Sequence, residues 1–368
     1  MKYINIFFTT LLAIALLFGL ACNGKKEETK TSGITEIKEV NPKLRKTREF
    51  VLKSDEFNIG VIEPPTLIFE KNGETKLFFR DTGLNQVLIS DSMGAIQQAI
   101  GKSGDGPKEF RHLTSIGMDE DTLIVYDAVL DMVKKFNLER ELINSYQGLL
   151  ADRVWLRSKR LFLYKDKLVY GIQEADKSSS NNHWESKTIA IYDRAGNLEK
   201  LMGEYDPDLI KSHRLYNYSN DLVINNGFAY TTHRTSPTIQ KFDLDTGKKI
   251  SRFGVLSKNY KVSDERPNVT DPREVKNKIN VKFSFVGNSF VTDDYFAFYF
   301  FNFTEKYFEL RNPNDQEHFL NLYNNKEEFV GEITLPFQPI AMDNNNRLYL
   351  LEDDNPDNVL IGVYEIKY

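Results

Sequence analysis

The sequence predicts an all-β protein, a six-bladed β-propeller with four antiparallel strands in each blade, on three observations. Strand-like segments dominate, and helical periodicity is scarce. A unit recurs in which an apolar or alternating strand ends in Asp or Asn, turns, and gives way to another strand: "QVLISDSMGAIQQAIG", "MVKKFNLERELINSY", "TIAIYDRAGNLEKLMG", "TIQKFDLDTGKKISRFG" and "FLNLYNNKEEFVGEITL". The marked positions are Asp91, Asn137, Asp193, Asp243 and Asn324. Their period is close to the roughly 40 to 50 residues of propeller blades, with insertions lengthening the third and fifth units.

Two strands precede each turn. In the second unit the four strands are "LTSIGMDED", "TLIVYDA", "DMVKKFNLE" and "ELINSYQ". The first unit supplies "PTLIFEKNG" and "KLFFRD" ahead of its turn, and the last supplies "QPIAMDNNN" and "RLYLLEDD". A final strand, "VLIGVYEIKY", has no partner after it. Its outer neighbour is expected from "TREFVLKS", residues 47–54, which would fasten the two ends together and leave no raw sheet edge.

Ahead of the propeller, Lys2 and the apolar run from Ile4 to Leu20 end in Ala21-Cys22. This segment resembles a lipoprotein signal peptide cleaved before Cys22, with Gly19 standing where the lipobox has Leu. Cys22 is the only cysteine, so no internal disulfide and no cysteine metal cluster can form, and acylation is its expected use. "NGKKEETKTSG" reads as a tether. The organisation expected is leader 1–21, tether 22–44 and propeller 45–368. Lys26-Glu27-Glu28 resembles the signal that sends Bacteroidota-type lipoproteins to the outer face of the outer membrane, so an outer-membrane lipoprotein is expected, displayed at the cell surface or held on the periplasmic side, touching the membrane through its lipid alone.

The net charge of -5, with Lys and Arg scattered, gives no basic field to hold nucleic acid. "GKSGDGPKEF", residues 101–110, has the Gly-Lys-Ser of a phosphate loop, but Ile96 stands where that motif opens, and Gly104, Gly106 and Pro107 oppose a following helix. The stretch is expected to be the turn from one blade to the next, with positive φ at its glycines.

The run "GDGPKEFRHLTSIGMDEDTLIVYDAVLDMVKKFN" resembles an NHL-type propeller repeat, with Gly104, Gly106, Glu109, Phe110, Ile116, Asp127, Val133 and Phe136 at matching places. Leu113-Thr114 replaces the proline usual after the Phe. Taken with the leader, the chain resembles the six-bladed TolB-like or NHL-like propeller lipoproteins of Bacteroidota.

Motifs for chemistry are sparse. None of the five histidines, His112, His183, His213, His233 and His318, has a partner at helical zinc spacing, and no G-x-S-x-G elbow occurs. "EDDNPDN" lacks the spacing and central glycine of a calcium loop. "DDYFAFYFFNF" has the composition of a sugar platform but also of a strand buried on both faces, which is the reading expected. Trp155 and Trp184 adjoin polar insertions and are candidates for exposed stacking.

In a propeller the second strand of each blade ends near the central opening. Those ends are Arg80 and Asp81, Asp127, Glu174, His233 and Arg234, Asn302, and Glu352 with Asp353. Their convergence would suit a polar or sugar-like ligand, or one cation with its substrate. Two function classes follow: a non-enzymatic binding or scaffold module for a protein or glycan partner at the cell envelope, without a cofactor, or a metal-dependent lactonase- or lyase-like propeller with an oxygen-ligated ion such as calcium on its axis.

Overall fold

The chain enters the fold through β1 (Lys43–Val51), and the six blades follow in sequence order. The first is β2 (Ile62–Lys71), β3 (Glu74–Asp81), β4 (Gln86–Asp91) and β5 (Ile96–Ile100). The second is β6 (Leu113–Asp119), β7 (Thr122–Asp127), β8 (Met132–Asn137) and β9 (Leu142–Gln147). The third is β10 (Val154–Tyr164), β11 (Lys167–Glu174), β12 (Ile189–Tyr192) and β13 (Leu198–Met202). The fourth is β14 (Asn220–Asn225), β15 (Phe228–His233), β16 (Ile239–Asp243) and β17 (Lys249–Phe253). In the fifth the first strand is broken into β18 (Ser284–Val286) and β19 (Phe290–Val291), ahead of β20 (Tyr295–Asn302), β21 (Glu317–Asn324) and β22 (Phe329–Leu335). The sixth is β23 (Gln338–Met342), β24 (Arg347–Asp353) and β25 (Leu360–Lys367), and β1 completes it. Two short helices lie in connections of the fifth blade, α1 (Arg273–Asn280) ahead of β18 and α2 (Glu305–Leu310) between β20 and β21.

This computed structural model describes residues 42–148, 152, 154–174, 185–208, 220–263, 265 and 271–367. Cys22, Lys26-Glu27-Glu28, Trp184, His183 and His213 lie outside the described residues.

The expected closure is present. β1 pairs antiparallel with β25, from Lys43 opposite Lys367 to Val51 opposite Leu360. The strand occupies 43–51 rather than 47–54, so it begins two residues before the expected start of the domain at 45. Phe50 and Leu52 anchor it in one apolar cluster with Leu77 and Phe79 of the first blade and Tyr349, Ile361 and Val363 of the last. Burial of each such side chain contributes about 1.5–3 kcal/mol.

The recurring Asp or Asn has a local cause. At the hairpin between third and fourth strands its side-chain oxygen accepts hydrogen bonds from backbone N–H groups a few residues on. Asp91 accepts from Met93 (2.8 Å) and Ala95 (3.0 Å), Asp193 from Ala195 (2.9 Å) and Asn197 (2.8 Å), and Asn324 from Lys326 (2.9 Å) and Glu328 (3.0 Å). Asn137 accepts from Glu141 (2.8 Å) and Asp243 from Thr246 (2.7 Å).

Residues 101–110 form the inter-blade turn. Gly101 has φ of 90°, and a Cβ there would lie 2.1 Å from the Phe110 ring, so the position admits only glycine. Glu109 accepts from the Gly106 N–H at 2.9 Å, and Ser103 bridges to Phe110. The stretch that resembles an NHL repeat covers this turn and β6, β7 and β8.

Two departures from regularity bear on the axis. The second and third blades are joined through one parallel bridge between Arg160 of β10 and Ile116 of β6. Gly117 permits this approach, since a Cβ on it would sit 2.3 Å from the Leu161 carbonyl oxygen. β20 is buried on both faces: Phe296, Phe298 and Phe300 pack toward the fourth blade, and Tyr299 and Phe301 toward the sixth. Its aromatic run is core.

Candidate functional site

The first strands of the blades form a ring around the axis. β2 touches β6 and β23, β10 touches β6 and β14, and β19 touches β14 and β23, while β10 also reaches across to β2. Strand alternation turns some of their polar side chains inward. A cavity of about 200 Å³ lies there, walled by Arg157 and Lys159 of β10, Asn220 and Asp221 of β14, Thr232 and Arg234 at the end of β15, Gly287 and Asn288, Tyr299 and Phe301 of β20, and Gln338 of β23.

Its electrostatics follow from the pairing of charges. Arg80 is buried and donates to Glu63 (2.8 Å), to the Pro64 carbonyl (3.0 Å) and to the Thr114 carbonyl. The same Glu63 carboxylate lies 3.3 Å from the Lys159 ammonium. Burial alone would raise the Glu63 pKa, but Lys159 and Arg80 outweigh it and hold the group below the usual carboxylate range. Asp221 is matched by Arg160 at 3.2 Å and accepts from the Ser289 N–H at 2.5 Å, while Arg160 also donates to the Ser289 carbonyl. Burial still pushes Asp221 upward.

Arg234 is different. Its guanidinium stacks 5.6 Å from the centre of the Phe285 ring, its Nε is buried without a hydrogen-bond partner, and among the described residues no carboxylate pairs with it. Lys159 is held below the ordinary lysine value, first by burial and then by repulsion from Arg80, with Arg234 adding to it against the pull of Glu63. Four cations, Arg80, Lys159, Arg160 and Arg234, therefore meet two carboxylates, Glu63 and Asp221, among the described residues. Arg157 adds a fifth cation, on the wall, and donates to Gln173 at 2.9 Å. Trp155, two residues before Arg157 on β10, is 39% exposed, with the Arg157 guanidinium 5.3 Å from its ring centre.

The nine residues at the second-strand ends divide sharply. Arg234 lines the cavity, and Arg80 acts on it through Glu63 and Lys159. The others are engaged elsewhere. Asp81 accepts from the N–H groups of Gly60 (2.8 Å) and Leu84 (3.1 Å). Asp127 accepts from four, those of Arg111 (2.7 Å), His112 (3.3 Å), Val129 (3.0 Å) and Leu130 (3.0 Å). Glu174 takes the Lys187 N–H at 2.6 Å, and Asp353 that of Asn355 at 3.0 Å. His233 is buried against Tyr205, with Nε2 3.3 Å from Gln240, and burial lowers its pKa. Asn302 bonds Ser284 (2.6 Å) and the Asn259 carbonyl (3.1 Å). Glu352 holds Lys46 (2.8 Å) and the Tyr364 hydroxyl (2.7 Å) at the closure strand. The wall residues that sequence reasoning passed over are Arg157, Lys159 and Asp221, with Glu63 beside them, all on first strands. Their signal was charge inside otherwise apolar segments such as "VWLRSKRLFLY".

Among the described residues no three His, Cys, Asp or Glu side chains gather where they could hold a metal ion, and no helix is long and apolar enough to cross a membrane.

The model of a 6-bladed beta-propeller family, DUF5128, matches residues 54–347. The chain belongs to this family. Its fold is also similar to a DUF4221 family member from Bacteroides vulgatus, at 14% identity and a TM-score of 0.69 over 90% of this chain and 99% of that one. A Bacteroides fragilis protein described as exported is similar at 11% identity and a TM-score of 0.56, over 91% of this chain and 98% of that one. At these identities the likeness is one of fold. A search of curated proteins finds no match.

Proposed function

We propose that this propeller is a non-enzymatic binding module of the cell envelope, anchored by lipid at Cys22, whose axial cavity captures an anionic group on a glycan or protein partner. One observation carries the reading: Arg234 opens on a cavity where cations outnumber carboxylates, and no described carboxylate neutralises it. A recessed guanidinium without a counter-ion attracts an anion far more strongly than a surface one, because little water screens it. The alternative, an axial calcium ion serving lactone or lyase chemistry, needs converging oxygens in a negative field, and the Arg80, Lys159 and Arg234 charges oppose it. The exported relative from Bacteroides fragilis supports the envelope location.

The test is calorimetric titration of the detergent-solubilised full chain with phosphate, acetate and glucuronate. Binding of at least one of them, weakened about tenfold or more by Arg234→Gln at unchanged melting temperature, supports the reading. Absence of binding by all three, or indifference to Arg234→Gln, overturns it.

A further inference from the structure

Resting on that anion-binding reading, we infer that the occupant of the axial cavity is the uronate residue of an acidic glycan. The wall supplies two kinds of polar group together. Arg157, Lys159 and Arg234 provide the charge for a carboxylate, and a guanidinium can take both carboxylate oxygens side by side. Asn288 and Gln338 bring side-chain amides, which donate and accept and so suit hydroxyl groups. Tyr299 and Phe301 close the wall behind these groups and are themselves buried in the core.

Phosphate or a simple carboxylate would engage the cations but leave the amides unused. A hexuronate presents the carboxylate and hydroxyls within one compact unit, and about 200 Å³ gives space for one sugar ring rather than a folded peptide segment. Trp155 extends the match. Its exposed ring packs against the guanidinium of the wall residue Arg157 and offers a stacking surface for a second sugar.

The experiment compares glucuronate, a digalacturonate, galactose, acetate, phosphate and triglutamate by titration of the full chain, with Trp fluorescence as a second readout. The expected order places glucuronate at least tenfold tighter than galactose and acetate, with digalacturonate tighter still. Arg234→Gln, checked for fold by its melting curve, should weaken uronate binding about tenfold, and Lys159→Gln serves if that variant does not fold. Trp155→Ala should bring digalacturonate toward the affinity of the single sugar. If acetate or phosphate binds as tightly as glucuronate, anion capture stands and the uronate assignment falls. Tighter binding of triglutamate assigns the cavity to an acidic protein segment instead. Silence from every anion overturns both readings together.

Discussion

The Tyr299 hydroxyl lies 2.8 Å from Nδ1 of His318, so a wall residue of the axial cavity is backed by a buried imidazole. Burial lowers the His318 pKa from 6.5 to about 4, which keeps the ring neutral and Nδ1 able to accept from the phenol. Above pH 6.5 neither the folded nor the unfolded chain protonates this residue. As the pH falls toward 4 the unfolded chain takes up a proton that the folded one refuses, and stability declines. The full effect is about 3 kcal/mol. His233, also lowered by burial, acts in the same direction. Chemical denaturation at pH 7.5 and pH 5 should show the loss, and His318→Gln should flatten it. Equal slopes in the two proteins would refute the assignment.

Arg80, Asp127 and Arg234 should separate on substitution. Asp127→Ala strips the acceptor from four backbone N–H groups and should destabilise by about 2–4 kcal/mol. Arg80→Ala removes a buried partner of Glu63 and of two carbonyls and should destabilise by about 3 kcal/mol or more. Arg234→Ala removes a guanidinium with no described carboxylate partner and should leave the melting temperature nearly unchanged while anion capture falls. Melting curves for the three single variants decide this, and a large loss for Arg234→Ala alone would reverse the division.

Gly101→Ala should destabilise by about 2 kcal/mol or more, because φ is 90° and the added carbon would meet the Phe110 ring. Lys102→Ala, next in the chain, removes an exposed pairing with Glu109 at 3.1 Å and should change stability by less than about 0.5 kcal/mol. Nucleotide binding that disappears in Lys102→Ala would contradict the reading of this segment as a turn.

Deletion of residues 43–51 should lower the melting temperature of the whole ring by about 10 °C and promote self-association, since it uncovers the β25 edge and removes Phe50 from the core. An unaltered cooperative melt would show that β1 is dispensable.

Cys22→Ala should move the protein from the membrane to the soluble fraction, and changing Lys26, Glu27 and Glu28 to Ala should alter its cleavage by protease added to intact cells. Unchanged fractionation in the first case and equal protection in the second are the contrary results.

The fold was legible because its punctuation is local. Asp91 and Asp193 mark hairpins through bonds that reach only two to four residues along the chain, so the mark survives in sequence. The same chemistry misled the site reading. Asp127 looks like a convergent carboxylate, yet it serves the Val129 and Leu130 N–H groups just beyond it, as Asp91 serves its own turn. The cavity was harder to see because Arg157 and Lys159 become neighbours of Arg234 only when the third and fourth blades meet around the axis. Nothing in the spacing of those residues records that meeting.

A pull on the chain upstream of Lys43 would reach β1 at the rung where it faces Lys367, the last pair of the ladder. Antiparallel strands loaded at one end peel, breaking one pair of hydrogen bonds after another, whereas strands loaded at opposite ends share the force across every rung. The ion pairs Arg45–Glu365 (2.7 Å) and Lys46–Glu352 (2.8 Å) stand within the first few rungs, where peeling begins. Under tension the ring therefore opens like a zipper at its seam, and the sixth blade yields before any other.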